Sequence, residues 1–578
     1  MSPSLQSAPR RLPAIQLVAA ALIGFIILAQ GISAPFQKDA EPQSAEWIVS
    51  VARDGNWLVP RDYYGFIDRK PPLYYWLSAV IAKVNGGVVD EAGARIVPVL
   101  SATLIAIEVL VWTVAEVGIA EGWLAFLFLL GIYGFSSRAT LALTDMLMTA
   151  ILMSAYLFLY PMLSGEVSRP RVIAVGILLG LGIATKGPIV LILVALAALI
   201  FVWLDRGSPM AILRSAWLWQ IAAISIVIGA SWYASWLISG GSRETAIFFQ
   251  ENFGHFMPAA MGGTGEASRP FWYIIARLIG GANPLILLMP ATLAGFATGE
   301  VSGTRRRPLI FQASMVAAIV IFFSIASAKR DDYILPALPG VAILCAGAFG
   351  MGAPTRGYAG GAKIRDGVSA LIAFAAILAV VLGLATARTN PDMTLQSSDA
   401  VLMMLLERGI GTHSAPFVAL LIISALAAVS TLILLLRHAT FLAGAMIGII
   451  SLTGVILIDS VVRPELAWAR SYKSFIGQIR SQIDDYPLFV VREADFELAF
   501  YYGKGVPPLV GKRAIVPPAN SPAYLIARDG ELSILPREYR DRIQPVLKSN
   551  LLGKEGPPTL YVIDTSQGGL NSRGGIGR

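Results

Sequence analysis

Residues able to do chemistry are sparse in this chain of 578 residues, only 14% of which are charged, and several of them gather early. The stretch Phe66-Ile67-Asp68-Arg69-Lys70-Pro71-Pro72-Leu73-Tyr74-Tyr75-Trp76 sets charge, proline and aromatic rings beside membrane-grade apolar sequence, and Lys38-Asp39-Ala40-Glu41 precedes it. A carboxylate such as Asp39 or Glu41 is the kind of group that takes a proton as general base. Lysine and arginine are the kind that hold an anion such as phosphate. The same mixture returns at Asp145, at Lys186, at Arg269 and in Lys329-Arg330-Asp331-Asp332-Tyr333.

What must position these groups is a set of membrane helices. The chain is 56% hydrophobic with a mean hydropathy of +0.66, outside the soluble globular range. Runs of about 20 apolar residues suit a hydrocarbon layer about 30 Å thick. They predict about thirteen spans, near 13–31, 96–115, 121–137, 143–163, 172–184, 187–204, 217–239, 271–292, 308–326, 333–350, 367–387, 414–436 and 440–461. The first follows Arg10-Arg11 and lacks a small-residue cleavage site, so it reads as an uncleaved anchor with a cytoplasmic N-terminus. Alternation from there puts Arg169, Arg171, Arg206, Arg214, Arg305-Arg306-Arg307, Arg356, Lys363, Arg365 and Arg437 inside, as the positive-inside rule requires. The net charge of +8 is then topological and no nucleic-acid partner is implied. Cys345 is the one cysteine, which excludes intrachain disulfides and thiolate metal sites, and His255, His413 and His438 are dispersed.

This topology places the first long loop, about 32–95, outside, with short helices at the membrane surface; Leu73 to Val84 is too short to cross. Arg138, Asp145, Lys186, the 240–270 loop with Glu251, His255 and Arg269, and the 327–333 segment fall on that same face. An intramembrane carboxylate faces a cavity or a partner, and for Asp145 the candidate partners are Arg138 and Lys186. The expectation is one outward-facing polar cavity. From about residue 463 the charges spread evenly and strand-like runs appear, as in Pro487-Leu488-Phe489-Val490-Val491, Ala523-Tyr524-Leu525-Ile526-Ala527 and Leu560-Tyr561-Val562-Ile563. The expected organisation is a transmembrane domain over 1–462 that includes the loop, and an extracytoplasmic α/β domain over 463–578 with a disordered glycine-rich tail from Gln567.

These residues carry a resemblance. Gly55-Asn56-Trp57-Leu58-Val59-Pro60-Arg61 and Lys70-Pro71-Pro72-Leu73-Tyr74-Tyr75-Trp76 resemble the first extracytoplasmic loop of the aminoarabinose transferase and protein O-mannosyltransferase group. Thr144-Asp145-Met146, Ala184-Thr185-Lys186-Gly187, Arg269-Pro270-Phe271-Trp272-Tyr273 and the run from Phe322 through Lys329 to Pro336 continue it in order. The group consists of GT-C fold glycosyltransferases with a polyprenyl-phosphate sugar donor. The resemblance implies that Lys70, Arg269 and Tyr333, with Lys329 beside them, hold the lipid phosphate, and that Asp145 and a second carboxylate act around sugar and acceptor. That second carboxylate is Asp39 or Glu41, because the family position falls on Ala40. Arg69 stands where the aminoarabinose transferases carry a glutamate, which weakens any metal site built on it. Gln43 and Ser44 replace an arginine and a tyrosine. No cofactor is assigned, although a divalent metal remains compatible.

The partners implied are the lipid-linked donor, membrane lipids, and a glycolipid, polymer or protein acceptor, with a monomer in the bacterial cytoplasmic membrane. The alternative is a transporter or flippase for a lipid-linked saccharide, which predicts internal repeats and charges reachable from both faces.

Overall fold

In a computed structural model of the chain, the described residues are 11–36, 40–67, 70–239, 269–326, 328–351, 360–386, 414–483, 485–492, 495–518, 520–551 and 556–565. They form two compact units, one of residues 1–32, 69–78 and 95–462, the other of 33–68, 79–94 and 463–578.

The first unit is helical and membrane-grade. Among the described residues nine helices are long and apolar enough to cross a bilayer, or eleven if each of two bent pairs counts as one span. The chain is a multi-pass helical membrane protein. Two of the expected spans are not straight helices. The run near 121–137 breaks at Ile132 into Ile119–Gly131 and Tyr133–Ala139, bent by 66°, and that near 271–292 becomes Tyr273–Ala282 and Leu285–Thr298, bent by 102°. The first expected span is a 15-residue helix, Ala14–Leu28.

Small residues decide how closely these helices approach. Gly176 and Gly180 lie four apart on the helix Arg169–Lys186, and a Cβ at either would come within 2.8 and 2.6 Å of Ile224 and Ile228 on the helix Ala216–Ser239. Gly229 returns the contact, since a Cβ there would meet Ile183 at 2.4 Å. Lipid tails are as apolar as the side chains, so close packing of small residues is what joins such helices. The seam fixes the helix whose last residue is Lys186. A second close approach, 2.8 Å from a Cβ at Gly134 to the carbonyl of Gly281, joins the two short helices Tyr133–Ala139 and Tyr273–Ala282.

The second unit contains a four-stranded sheet of β1 (Leu488–Val490), β2 (Ala523–Arg528), β3 (Ile543–Lys548) and β4 (Pro558–Ile563) in the order β1-β2-β4-β3. β1 and β2 pair in parallel and the rest antiparallel. Leu488, Val490 and Ile526 enter one core with Phe475, Ile476 and Ile479 of the helix Tyr472–Ile483, while Phe489, Leu525 and Ala527 enter another with Leu535 and Tyr539. Both faces are covered, which is why the first two strands read as continuous apolar runs.

The loop residues 33–68 and 79–94 group with this unit, unlike the division drawn from composition. The interactions that place them are visible. On the helix Ala40–Ala52, Glu46 Oε2 accepts from Tyr63 N–H at 2.9 Å, Gln43 donates to Asp62 at 2.9 Å, and the Trp47 indole donates to the Phe66 carbonyl at 3.3 Å. From the C-terminal side, Phe496 packs edge-on against Tyr64 and Phe66 at 5.7 and 6.3 Å, and the Arg513 guanidinium covers Phe66 at 4.1 Å. Lys473 and Tyr501 both bond Glu91 at 2.8 Å.

Glu46 is 1% exposed, and its Oε1 has no hydrogen-bond partner among the described residues. Burial pushes its pKa from 4.5 to about 8; the charges of Asp62 and Asp495 add to this, and the Tyr63 N–H opposes it. The folded state then holds a proton that the unfolded chain has lost. This contribution to stability is complete below about pH 4.5 and fades as pH rises towards about 8. Glu46→Gln keeps the acceptor for Tyr63 and removes the titration. Its thermal midpoint is expected to fall less than that of the wild type between about pH 6 and about pH 9, as measured by thermal scanning in detergent. Parallel curves would contradict this account.

Candidate functional site

Asp145 is the first residue of the helix Asp145–Leu163, and Lys186 the last of Arg169–Lys186. These neighbouring helices run in opposite directions, so their polar termini meet. An acid at a helix N-terminus and a base at a C-terminus each match the helix dipole. Gly187 ends the second helix at φ 86°, a left-handed value suited to glycine, with its N–H bonded to the Ile183 carbonyl at 2.9 Å. The Lys186 ammonium forms an ion pair with Asp145 Oδ1, and both side chains are mostly buried, at 15% and 12% exposure. Of the two partners open to Asp145 in the sequence, Lys186 is the one found.

Arg138 is taken elsewhere. Its Nε bonds Asp332 at 2.8 Å, its Nη2 the Asp331 carbonyl at 3.2 Å, and its Nη1 the Gly134 carbonyl at 3.0 Å. Asp331 is also held by the Tyr273 hydroxyl and by Arg277. These bonds fix the short 3₁₀ helix Asp331–Ala337, on which Tyr333 stacks against Phe323 at 4.4 Å and 26°. The Lys186 ammonium lies 5.6 Å from the centre of the Tyr333 ring. Asp145, Lys186, Tyr333 and Phe323 therefore form one charged and aromatic cluster.

Arg269 and Lys329 lie together, differently disposed. The Arg269 side chain is exposed and covers the Tyr273 ring at 4.6 Å. Lys329 is 7% exposed, and its ammonium donates to the carbonyls of Arg269 at 2.9 Å and Ala326 at 2.6 Å. Burial lowers its pKa from the usual lysine value. Lys70 is half-buried and belongs to the same compact unit. Glu41 is fully buried in the first turn of Ala40–Ala52, in the other unit. Asp39 lies outside the described residues, as do Asp68, Arg69, His255 and the glycine-rich tail.

Among the described residues no three His, Cys, Asp or Glu side chains gather so as to hold a metal ion. A cavity of about 510 Å³ opens at the opposite ends of Tyr133–Ala139 and Tyr273–Ala282 from Arg138 and Tyr273, lined by Tyr133, Asn283, Leu371, Ile450 and Val455. It is apolar and apart from the charged cluster. Lys186 stands in the sequence among the scattered cations, in the Ala184-Thr185-Lys186-Gly187 motif and as a possible partner of Asp145, with no site role assigned to it; the signal that marks it as more is its position before Gly187-Pro188, where a helix must end.

With this arrangement in view, likeness to known proteins becomes informative. Residues 62–239 match the family described as dolichyl-phosphate-mannose-protein mannosyltransferase. The chain is 26% identical over 348 residues to the undecaprenyl phosphate-alpha-4-amino-4-deoxy-L-arabinose arabinosyl transferase of Enterobacter sp. (strain 638), covering 56% of this chain and 58% of that one. It is 27% identical over 342 residues to the Erwinia tasmaniensis protein of the same name, covering 56% and 57%. The match thus spans a little over half the length of these curated relatives. In structure, ArnT from Cupriavidus metallidurans bound to undecaprenyl phosphate superposes with a TM-score of 0.69 at 19% identity, over 95% of this chain and 97% of that one. The chain has the GT-C fold.

Within that GT-C framework, the Arg138–Asp332 pair is mostly buried, at 13% and 9% side-chain exposure. Arg138→Ala removes a buried partner of Asp332 and is expected to destabilise by about 3–5 kcal/mol. Arg171→Ala removes an exposed pair with Glu166, 33% and 63% exposed, and should cost about 0–1 kcal/mol. Comparing denaturation of the two variants in the same detergent checks the ranking.

Proposed function

We propose that this protein transfers a sugar from a polyprenyl-phosphate donor to a glycolipid, cell-envelope or protein acceptor at the outer face of the bacterial cytoplasmic membrane. The observation that carries the reading is the gathering of Asp145, Lys186 and Tyr333 at one end of membrane helices that share their fold with a transferase bound to undecaprenyl phosphate. Orientation is supported by the arginines at the other ends of the same helices. Arg206 and Arg307 both bond the Leu163 carbonyl, and Arg307 pairs with Asp205 at 3.0 Å, where the positive-inside rule expects cytoplasm.

Sugar nucleotides are cytoplasmic, so a site outside needs a donor that the membrane itself can carry. In the proposed reaction the acceptor hydroxyl attacks the anomeric carbon and the bond from that carbon to the phosphate oxygen breaks. The acceptor's proton passes to Asp39 or Glu41. Polyprenyl phosphate leaves with the bonding electrons, and its growing charge is met by Lys70, Arg269 and Tyr333, with Lys329 holding the backbone of Arg269. The phosphate is a good leaving group, so no separate general acid is required. Gln43 and Ser44 allow the sugar or acceptor to differ from those named for the relatives.

A transfer assay with labelled polyprenyl-phosphate sugar and a membrane extract tests this. Lys70→Ala, which removes a phosphate ligand, and Asp145→Ala, which removes the carboxylate that acts around sugar and acceptor, are each expected to lower the transfer rate by about 100- to 1,000-fold. Of Asp39→Ala and Glu41→Ala, the one that removes the base should cost about 100- to 10,000-fold. Transfer unaffected by all four substitutions, or lipid movement across the bilayer without transfer, would overturn the reading.

A further inference from the structure

Two lysines stand near Tyr333 in this fold, and their surroundings assign them different work. Lys329 has given two of its three N–H donors to backbone carbonyls, those of Arg269 and Ala326, and is buried. It ties the segment ahead of Tyr273–Ala282 to the end of Arg306–Ile325. Such a lysine braces Arg269 and has little left for a ligand.

Lys186 is placed the other way. Among the described residues its ammonium has one hydrogen-bond partner, Asp145, which leaves two of three donors for something else. It also lies over the ring of Tyr333. A mostly buried ion pair adds little to stability beyond what apolar residues of the same volume would give, so stability alone does not account for its presence. Asp145, at its helix N-terminus, keeps a favourable environment when its partner turns away, because the helix dipole still faces it.

We propose that Lys186, and not Lys329, supplies the lysine ammonium beside Tyr333 that meets the donor's phosphate, and that Asp145 is the positioning residue that holds Lys186 until the anion arrives. The assignment rests on the lipid-phosphate reading above. Phosphate oxygens and the Asp145 carboxylate then compete for one ammonium. Removing the carboxylate's charge releases the lysine to the lipid.

The test uses binding of undecaprenyl phosphate, without sugar, to the full-length protein in detergent, so that no catalytic step enters the readout. Asp145→Asn is expected to bind the lipid more tightly than the wild type. Adding Lys186→Met to Asp145→Asn leaves no stranded carboxylate, which protects folding, and should weaken binding about 10- to 100-fold relative to the single variant. Lys186→Arg keeps the charge and should stay within about threefold of the wild type. Reversing the pair, with Asp145→Lys and Lys186→Asp together, is expected to restore the thermal midpoint without restoring binding; restored binding would mark a merely structural pair and overturn the proposal. Equal affinity of Asp145→Asn with and without Lys186→Met, while Lys70→Ala abolishes binding, would overturn the role of Lys186 and leave the lipid-phosphate reading standing. A wild-type protein that does not bind the lipid at all would overturn both.

Discussion

Hydrocarbon offers no solvent to a charge, and this constraint arranges the first unit of the protein. A helix such as Asp145–Leu163 can carry ionised groups only at its ends, where they find either a partner or a helix dipole of the right sign. Its beginning is an acid paired with Lys186, and its last carbonyl is bonded by Arg206 and Arg307. Between the two polar ends the packing is mostly apolar, and a carboxylate found there, Glu108, is buried and bonded by the Ser154 hydroxyl. Beside the arginine end Trp112, Tyr160, Phe201 and Phe311 pack ring against ring within 6.3 Å, with the Arg307 guanidinium 5.6 Å from the centre of the Phe201 ring. Specific chemistry in such a scaffold has to be terminal, and the question becomes which terminal groups are already committed.

Most of them are. The two bent spans yield short helices, and the Gly134–Gly281 approach brings those helices together so that Arg138, Tyr273 and Arg277 reach Asp331 and Asp332. Those five residues satisfy one another and hold the 3₁₀ turn that presents Tyr333. Among the described residues around this turn, what remains with exposure or spare donors includes Arg269 and Arg330 on the surface and Lys186 with one carboxylate partner. A bend in a membrane helix therefore does more here than shorten a span. It supplies the fixed carboxylate frame on which the aromatic and cationic groups are mounted.

The spans were legible because a run of about twenty apolar residues is too long for an ordinary soluble core helix, and among the described residues nine helices pass the same criterion of length and composition. The breaks were missed although each has a local mark: Gly131 and Gly134 flank Ile132, and Asn283-Pro284 follows Gly280-Gly281 at the other bend. Apolarity, which runs unbroken through 121–137, hid them from a reading based on hydropathy. The change in composition at 463 was equally plain, but the attachment of the first loop to the C-terminal unit depends on contacts hundreds of residues apart, such as Tyr64 with Phe496 and Glu91 with Tyr501. At the site, Asp145 could be found from the cost of its charge. The work of Lys329 could not, because it is decided by two carbonyl oxygens that any residue would have supplied.

The choice between the two loop carboxylates can be weighed on the same physical grounds. A general base must reach the hydroxyl of a bulky acceptor, and a side chain with no exposed surface has to be uncovered first. Glu41 is fully buried, already engaged in interactions, and sits on a helix whose next turns are also buried through Ser44, Ala45, Glu46 and Ile48. Its own face, with Ser44, Ala45 and Ile48, would have to come away from the interior with it. Asp39 precedes that helix in the sequence, and for the proposed reaction the burial of Glu41 favours Asp39. In the proposed reaction Glu41 stays committed to the interior, and the helix Ala40–Ala52 acts through Glu46 and Trp47, which hold the 62–66 turn.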